Sequence, residues 1–239
     1  MAVPKGADAP DTSQGSDTPP TAEGQSPATA GSAFSATGGD DPQDLPPVLI
    51  FPMFMADGWF TRSELPRRLA EAGLPPARMH LLAPFGTDPA AIDLAEAVLR
   101  AAVAERGWRL AETHLLLAAH GSFRSPAPAA VARRVARVLV DRLRPASLAT
   151  GFIDQAPQVA AIARECPAPA LCLPFFALAG GHVEEDLPAA LASAGFPGTL
   201  LPPLGQAEEA PALVARALRA AVAAAGDRTG AGPEGAADR

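Results

Sequence analysis

The sequence predicts an α/β protein built on an open parallel sheet with helices on both faces, and three observations carry that expectation. From Pro46 onward, short apolar runs alternate with alanine-rich stretches of helical period, the rhythm of β-α units. The runs are apolar without polar alternation, as in Leu115-Leu-Leu-Ala-Ala119, which fits strands buried on both sides. One stretch of the chain also occurs twice in unequal surroundings, so one lobe is complete and the other truncated.

Taken in order, the apolar runs place strands at about 47–55 (Pro-Val-Leu-Ile-Phe and onward), 79–83, 114–119, 147–152, 170–177 and 199–201. A helix follows each, at about 62–72, 89–106, 127–143, 156–164, 186–194 and 207–225. Asp88-Pro89 and Asp186-Leu-Pro188 read as helix starts, an acidic cap followed by a proline whose missing N–H costs nothing in the first turn.

Residues 52–75 align with 174–197 without a gap. Pro52, Phe54, Gly58 and Leu65-Pro66 fall on Pro174, Phe176, Gly180 and Leu187-Pro188. Further on, Leu69-Ala70, Ala72-Gly73 and Pro75 fall on Leu191-Ala192, Ala194-Gly195 and Pro197. Because proline, glycine and phenylalanine recur in order, internal duplication explains the match better than alanine bias. After a three-residue shift Gly86 pairs with Gly205, and Val98-Leu-Arg-Ala-Ala-Val103 echoes Ala217-Leu-Arg-Ala-Ala-Val222. The copies are unequal: residues 46–112 hold two β-α units, against four in residues 113–225.

The flanks differ in kind. Residues 1–45 are rich in Pro, Gly, Ser, Thr, Ala and Asp, with Phe34 the sole aromatic, too little apolar surface to offset ordering entropy. They are expected to form a disordered low-complexity tail, as are residues 226–239. These tails carry the formal charge of −7, leaving 46–225 neutral. A neutral body without a basic face argues against nucleic-acid binding. No apolar run approaches the ~20 residues of a membrane span, and the N-terminus has no charged region followed by an apolar one, so a cytoplasmic protein is expected. Cys166 and Cys172 have no metal or redox spacing and read as free, packed thiols.

The chemistry concentrates at strand ends, where open α/β sheets bind ligands. His120 closes Leu115-Leu-Leu-Ala-Ala-His-Gly-Ser122, His182 closes Pro174-Phe-Phe-Ala-Leu-Ala-Gly-Gly-His182, and Asp154 follows Thr150-Gly-Phe-Ile153. Two imidazoles and a carboxylate make a mixed N/O site suited to Co²⁺, Fe²⁺, Ni²⁺ or Zn²⁺. Gly121, Gly180 and Gly181 remove side chains from around both imidazoles and permit close approach to a ligand. In the earlier copy the histidine position is Phe60. Trp59 and Phe60 can form an aromatic wall, Met53 and Met55 fit strand packing, and His80 and His114 at strand starts fit structural roles.

These same residues resemble the class II tetrapyrrole chelatases, the sirohydrochlorin cobaltochelatases and ferrochelatases. The matching runs are Leu-Leu-Leu-Ala-Ala-His-Gly-Ser, Gly-Phe-Ile-Asp and Pro-Phe-Phe-x-x-x-Gly-Gly-His-Val-x-x-Asp-Leu-Pro. The resemblance covers about 113–200 and, in part, 46–106. It implies a chelatase-like fold and insertion of Co²⁺ or Fe²⁺ into sirohydrochlorin or a related tetrapyrrole, in cobalamin or sirohaem synthesis. It also implies His120 and His182 as metal ligands and Asp154 where the family has glutamate. No cofactor beyond the divalent metal substrate is implied. Insertion needs water stripped from the ion and two pyrrole N–H protons accepted; neutral imidazole can ligate the ion and, once released, take a proton.

A polycarboxylate macrocycle also calls for a cation, and Arg124 is the candidate clamp, with Ser122 at the mouth beside it. The truncated first lobe raises the prospect of a cleft built from two chains, a homodimer. A chelatase-derived carrier that binds metal or tetrapyrrole without catalysis is the alternative. An unrelated hydrolase is disfavoured by the lack of a G-x-S-x-G elbow, a P-loop or a dinucleotide fingerprint.

Overall fold

The computed structural model describes residues 45–230, with side chains through Ala225. The expected N-terminal tail, Leu45 apart, lies outside the described residues, as do 231–239. Six parallel strands appear where the apolar runs predict them: β1 (Val48–Ile50), β2 (Met79–Leu81), β3 (His114–Ala119), β4 (Ser147–Phe152), β5 (Ala170–Pro174) and β6 (Thr199–Leu200). They divide between two sheets. β1 and β2 pair only with each other, while the remaining strands follow the order β4-β3-β5-β6. The duplicated stretch thus carries its own sheet, with β1-β2 standing where β5-β6 stand in the larger one.

The helices are α1 (Leu65–Glu71), α2 (Pro89–Glu105), α3 (Ala127–Leu143), α4 (Val159–Arg164), α5 (Leu187–Ser193) and α6 (Ala210–Gly230). Asp88 caps α2, its carboxylate accepting from Ala90 N at 2.8 Å. Three expectations are corrected. α4 starts at Val159 rather than 156, because Pro157 O accepts from Phe152 N at 2.9 Å and Gln158 bridges Phe152, so this segment is tied to the strand end. α6 runs to Gly230, five residues past its expected end. One glycine costs an alanine-rich helix only about 1 kcal/mol, so Gly226 does not stop it. The first strand ends at Ile50, so Met53 and Met55 are not strand residues.

β3 shows why its sequence does not alternate. Leu115, Leu117 and Ala119 face one core with Leu99 and Val103 of α2 and Val135 and Leu139 of α3. Leu116 and Ala118 face the other, with Val159 and Ala163 of α4 and Leu187 and Leu191 of α5. Both faces are apolar because both are covered. Cys172 lies in that second core, and burial pushes its thiol pKa upward; Cys166 is also free.

The two copies share most of their turn and helix geometry. Each opens with one turn of π-helix, Phe60–Glu64 and His182–Asp186, running directly into α1 or α5. Both helices end in a left-handed glycine, Gly73 (φ 92°) and Gly195 (φ 64°). The three-residue shift falls before a 3₁₀ turn at Phe85–Thr87 and Leu204–Gln206. There Gly86 N donates to Phe54 O, and Gly205 N to Phe176 O, both at 3.0 Å. A Cβ on Gly86 would stand 2.3 Å from Met55 O, and one on Gly205 1.9 Å from Ala177 O. Both positions therefore exclude any side chain, and both pin the segment leading to the π-turn.

Candidate active site

Three backbone features bring the expected residues together. β3 ends at Ala119, and the next residue, His120, leaves the sheet at a tight turn made by Gly121 (φ 75°), where a Cβ would meet Gln155 Cγ at 2.7 Å. Asp154 N donates to His120 O at 2.9 Å, which fixes the loop after β4 beside the loop after β3. His182 opens the π-turn, eight residues past the end of β5, rather than closing a strand as expected. Single π-turns inside helices are frequent at functional sites.

The rings of His120 and His182 meet edge to face, centroids 4.6 Å apart and planes at 85°. Two imidazoles on one divalent ion, with metal–nitrogen bonds near 2.1 Å, place their centroids roughly 4.5 to 5.2 Å apart. The side chains are each 45% exposed, so the pair is open to solvent. His120 Nδ1 lies 3.0 Å from Gly121 O and 3.3 Å from Asp154 Oδ2. His182 Nδ1 lies 2.6 Å from Asp186 Oδ2. A carbonyl or carboxylate oxygen only accepts, so both Nδ1 atoms are placed to donate, and in the neutral rings that arrangement leaves both Nε2 atoms with a lone pair. Among the described residues no group of three or more His, Cys, Asp or Glu side chains is placed to hold a metal.

A cleft of about 850 Å³ opens beside the pair. Met53, Phe54, Met55, Trp59 and Phe60 of the first half and His120, Arg124, Phe176 and Leu178 of the second line it. The truncated first half thus still closes a cleft within one chain. Trp59 is 70% exposed, and it and Phe60 form the expected aromatic wall. His182 is not among the lining residues; it adjoins the cleft through His120. Asp154 likewise stands behind His120.

The other expected residues divide. Arg124 lines the cleft, and among the described residues no carboxylate pairs with its guanidinium. Ser122 does not line it; its Oγ accepts from Arg124 N at 3.1 Å and Ser125 N at 3.2 Å, which shapes the loop that carries Arg124. Gly180 and Gly181 do not line it either, but a Cβ on either would meet nothing within 4 Å. Neither has a positive φ. Since no fold constraint requires glycine there, the pair leaves open space next to His182.

Sequence reasoning missed Asp186, which it took for a helix cap. Its side chain caps nothing and bonds His182 instead. The i, i+4 spacing of His182 and Asp186 on a helical turn was the available signal. It also missed Met53 and Met55 as cleft residues, because it extended β1 through them.

Residues 114–221 match the profile of the family CbiX. Among solved structures, the chain is similar to CbiX, described as the terminal enzyme for biosynthesis of siroheme in denitrifying bacteria. Identity is 50%, 75% of this chain and 78% of that one are covered, and the TM-score is 0.69. It is also similar to DR2241 of Deinococcus radiodurans, a multi-domain protein with structural similarity to chelatases (24% identity, 70% and 40% covered, TM-score 0.57). A third likeness, to SirB of Bacillus subtilis with Fe³⁺, has 12% identity, 74% and 72% coverage and a TM-score of 0.59. The last two show the fold alone. No curated protein sequence matches significantly.

Proposed function

From the premise that this chain belongs to the CbiX family of sirohydrochlorin chelatases, we propose that it inserts Fe²⁺ into sirohydrochlorin at the paired imidazoles of His120 and His182. The observation that carries this reading is the pair itself: two half-exposed rings 4.6 Å apart, both with Nδ1 on an acceptor, beside a cleft of about 850 Å³. The relative that makes sirohaem, an iron product, favours Fe²⁺ over Co²⁺. The cytoplasm is the expected setting; among the described residues no helix is long and apolar enough to cross a membrane.

In this reading the two Nε2 atoms displace water from the ion and hold it at the cleft edge. The macrocycle lies against Trp59, Phe60 and Phe176, with Arg124 pairing one of its carboxylates. As metal–nitrogen bonds form in the product, the two pyrrole N–H protons leave. One passes to the imidazole released from the ion, and Asp154, 3.3 Å from His120 Nδ1, stabilises the imidazolium. The second leaves to solvent. Net, one M²⁺ is exchanged for two protons, and no redox step or cofactor is required.

Mixing full-length protein with sirohydrochlorin and Fe²⁺ or Co²⁺ under anaerobic conditions tests this by the change in macrocycle absorbance. The parent should exceed the uncatalysed rate, Fe²⁺ should be the better metal, and His182→Ala should fall to the control. Tight binding of both ligands with no acceleration would support the carrier instead.

A further inference from the structure

Resting on the reading of His120 and His182 as the metal-handling pair, we propose that Asp186 is a positioning residue: it locks His182 in the orientation and tautomer that present Nε2 to the incoming ion, without being a ligand itself. The 2.6 Å contact from His182 Nδ1 to Asp186 Oδ2 spans one turn, and the π-turn from His182 to Asp186 sets both ends of it. A metal-bound histidine whose other nitrogen is held by a carboxylate keeps its ring from rotating and gains basicity.

The duplicated copy shows that this contact is built rather than incidental. The position matching Asp186 is Glu64, and there the carboxylate is taken by Arg67 and Arg68 at 2.8 and 2.6 Å. The positions matching those arginines are Ala189 and Ala190. With both competitors gone, the carboxylate turns back along its own helix to the residue four earlier, which is Phe60 in one copy and His182 in the other. Helix capping does not explain Asp186, since its side chain makes no cap bond to α5.

His120 is held differently. Its Nδ1 has a second acceptor in Gly121 O at 3.0 Å and lies farther, 3.3 Å, from Asp154. Among the described residues His182 Nδ1 has Asp186 alone. Loss of Asp186 should therefore free its imidazole more than loss of Asp154 frees His120.

The test uses the full chain with sirohydrochlorin and Co²⁺, comparing Asp186→Ala, Asp186→Asn, Asp154→Ala and His182→Ala. Asp186→Ala should raise the KM for metal by about 10- to 100-fold and leave the KM for the tetrapyrrole unchanged, a split that a general loss of structure would not produce. Asp186→Asn should recover most of the loss, because its Oδ1 can accept the same N–H. Asp154→Ala should raise the metal KM less than Asp186→Ala does; an equal or larger rise would overturn the proposal. A second readout needs no turnover: long-range ¹H–¹⁵N spectra of the metal-free parent should show His182 as the Nδ1–H tautomer, shifting toward a mixture in Asp186→Ala. A parent His182 protonated at Nε2, or an Asp186→Ala protein with parental metal KM, would overturn the proposal. If His182→Ala keeps the parental rate, the metal-pair reading itself has failed; if it loses the rate while Asp186→Ala does not, only the positioning role falls.

Discussion

In the first half of the molecule the π-turn presents Phe60, beneath it Glu64 gripped by Arg67 and Arg68, and Arg68 lies over the Phe60 ring at 5.6 Å. In the second half the same turn presents His182 above Asp186, and alanines stand where the arginines were. The backbones correspond down to Arg62 N donating to Gly58 O at 3.0 Å and Glu184 N to Gly180 O at 2.9 Å. What is kept is the scaffold that holds the turn; what differs is the set of side chains it offers to the cleft. One half lines the cleft with an apolar wall, and in the function proposed above the other supplies a ligating nitrogen at the cleft's edge.

The largest effect should come from erasing the difference. His182→Phe copies the first turn into the second and removes one of two ligands, so the insertion rate should fall about 10²- to 10⁴-fold in the absorbance assay, with tetrapyrrole binding retained. If His182→Phe stays as fast as the parent, the division of labour between the turns is wrong.

The next effect tests the shared scaffold. Gly205→Ala and Gly86→Ala each drive a methyl onto a backbone carbonyl that the chain cannot easily move, at 1.9 and 2.3 Å. Each should cost about 1 to 3 kcal/mol, the range for overpacking, measured by thermal or urea unfolding. Gly205→Ala should also slow insertion, because Ala177 and Phe176 above it line the cleft. Equal Tm values for parent and both variants would mean that these close approaches do not hold the turns.

Much of this architecture was legible in the residues. Pro, Gly and Phe recurring in order disclosed the duplication, because those residues are demanded by backbone geometry: Gly86 and Gly205 by close approach, Gly73 and Gly195 by positive φ. The unalternated run from Leu115 to Ala119 disclosed a sheet covered on both faces. His120 and His182 could be paired because glycines flank them and the runs resemble a known family. Other features were hidden. The split into two sheets depends on which strands hydrogen-bond, a non-local choice that apolar runs do not encode. Asp186 was misread because Asp-Leu-Pro is the pattern of a helix start, while the side chain had a better partner four residues back. β1 was drawn too long because Phe51, Met53 and Phe54 are as apolar as a strand; they are apolar because they pack on the core or wall the cleft.

A subtler substitution separates ligand space from fold space at the second turn. Gly181 stands where the first turn has Trp59, and a Cβ there meets nothing. Gly181→Ala should leave Tm unchanged or slightly raised, since alanine at a helical position is favoured over glycine by about 0.5 to 1 kcal/mol. The KM for the tetrapyrrole should rise. Gly181→Trp should amplify that rise. Unchanged tetrapyrrole KM in both would show that the glycine pair does not face the substrate.

The smallest effect belongs to the first turn, where the carboxylate serves only structure. Hydrogen bonds from Arg67, then Arg68, lower the pKa of Glu64 from its ordinary 4.5 to about 2. A folded-state value below the unfolded one means that the stability it contributes is fully present above pH 4.5 and is lost as pH falls through about 2. Glu64→Gln should therefore flatten the acid limb of a Tm-against-pH curve in that window and leave the insertion rate at neutral pH untouched. The arginines are more than half exposed, so the flattening should be modest and shrink further in high salt. An Asp186→Ala variant run beside it should show the opposite pattern in the insertion assay, a clear rise in the metal KM. If instead Glu64→Gln impaired insertion as much as Asp186→Ala, the two turns would not differ in role, and their carboxylates would have to act on the cleft through a common path.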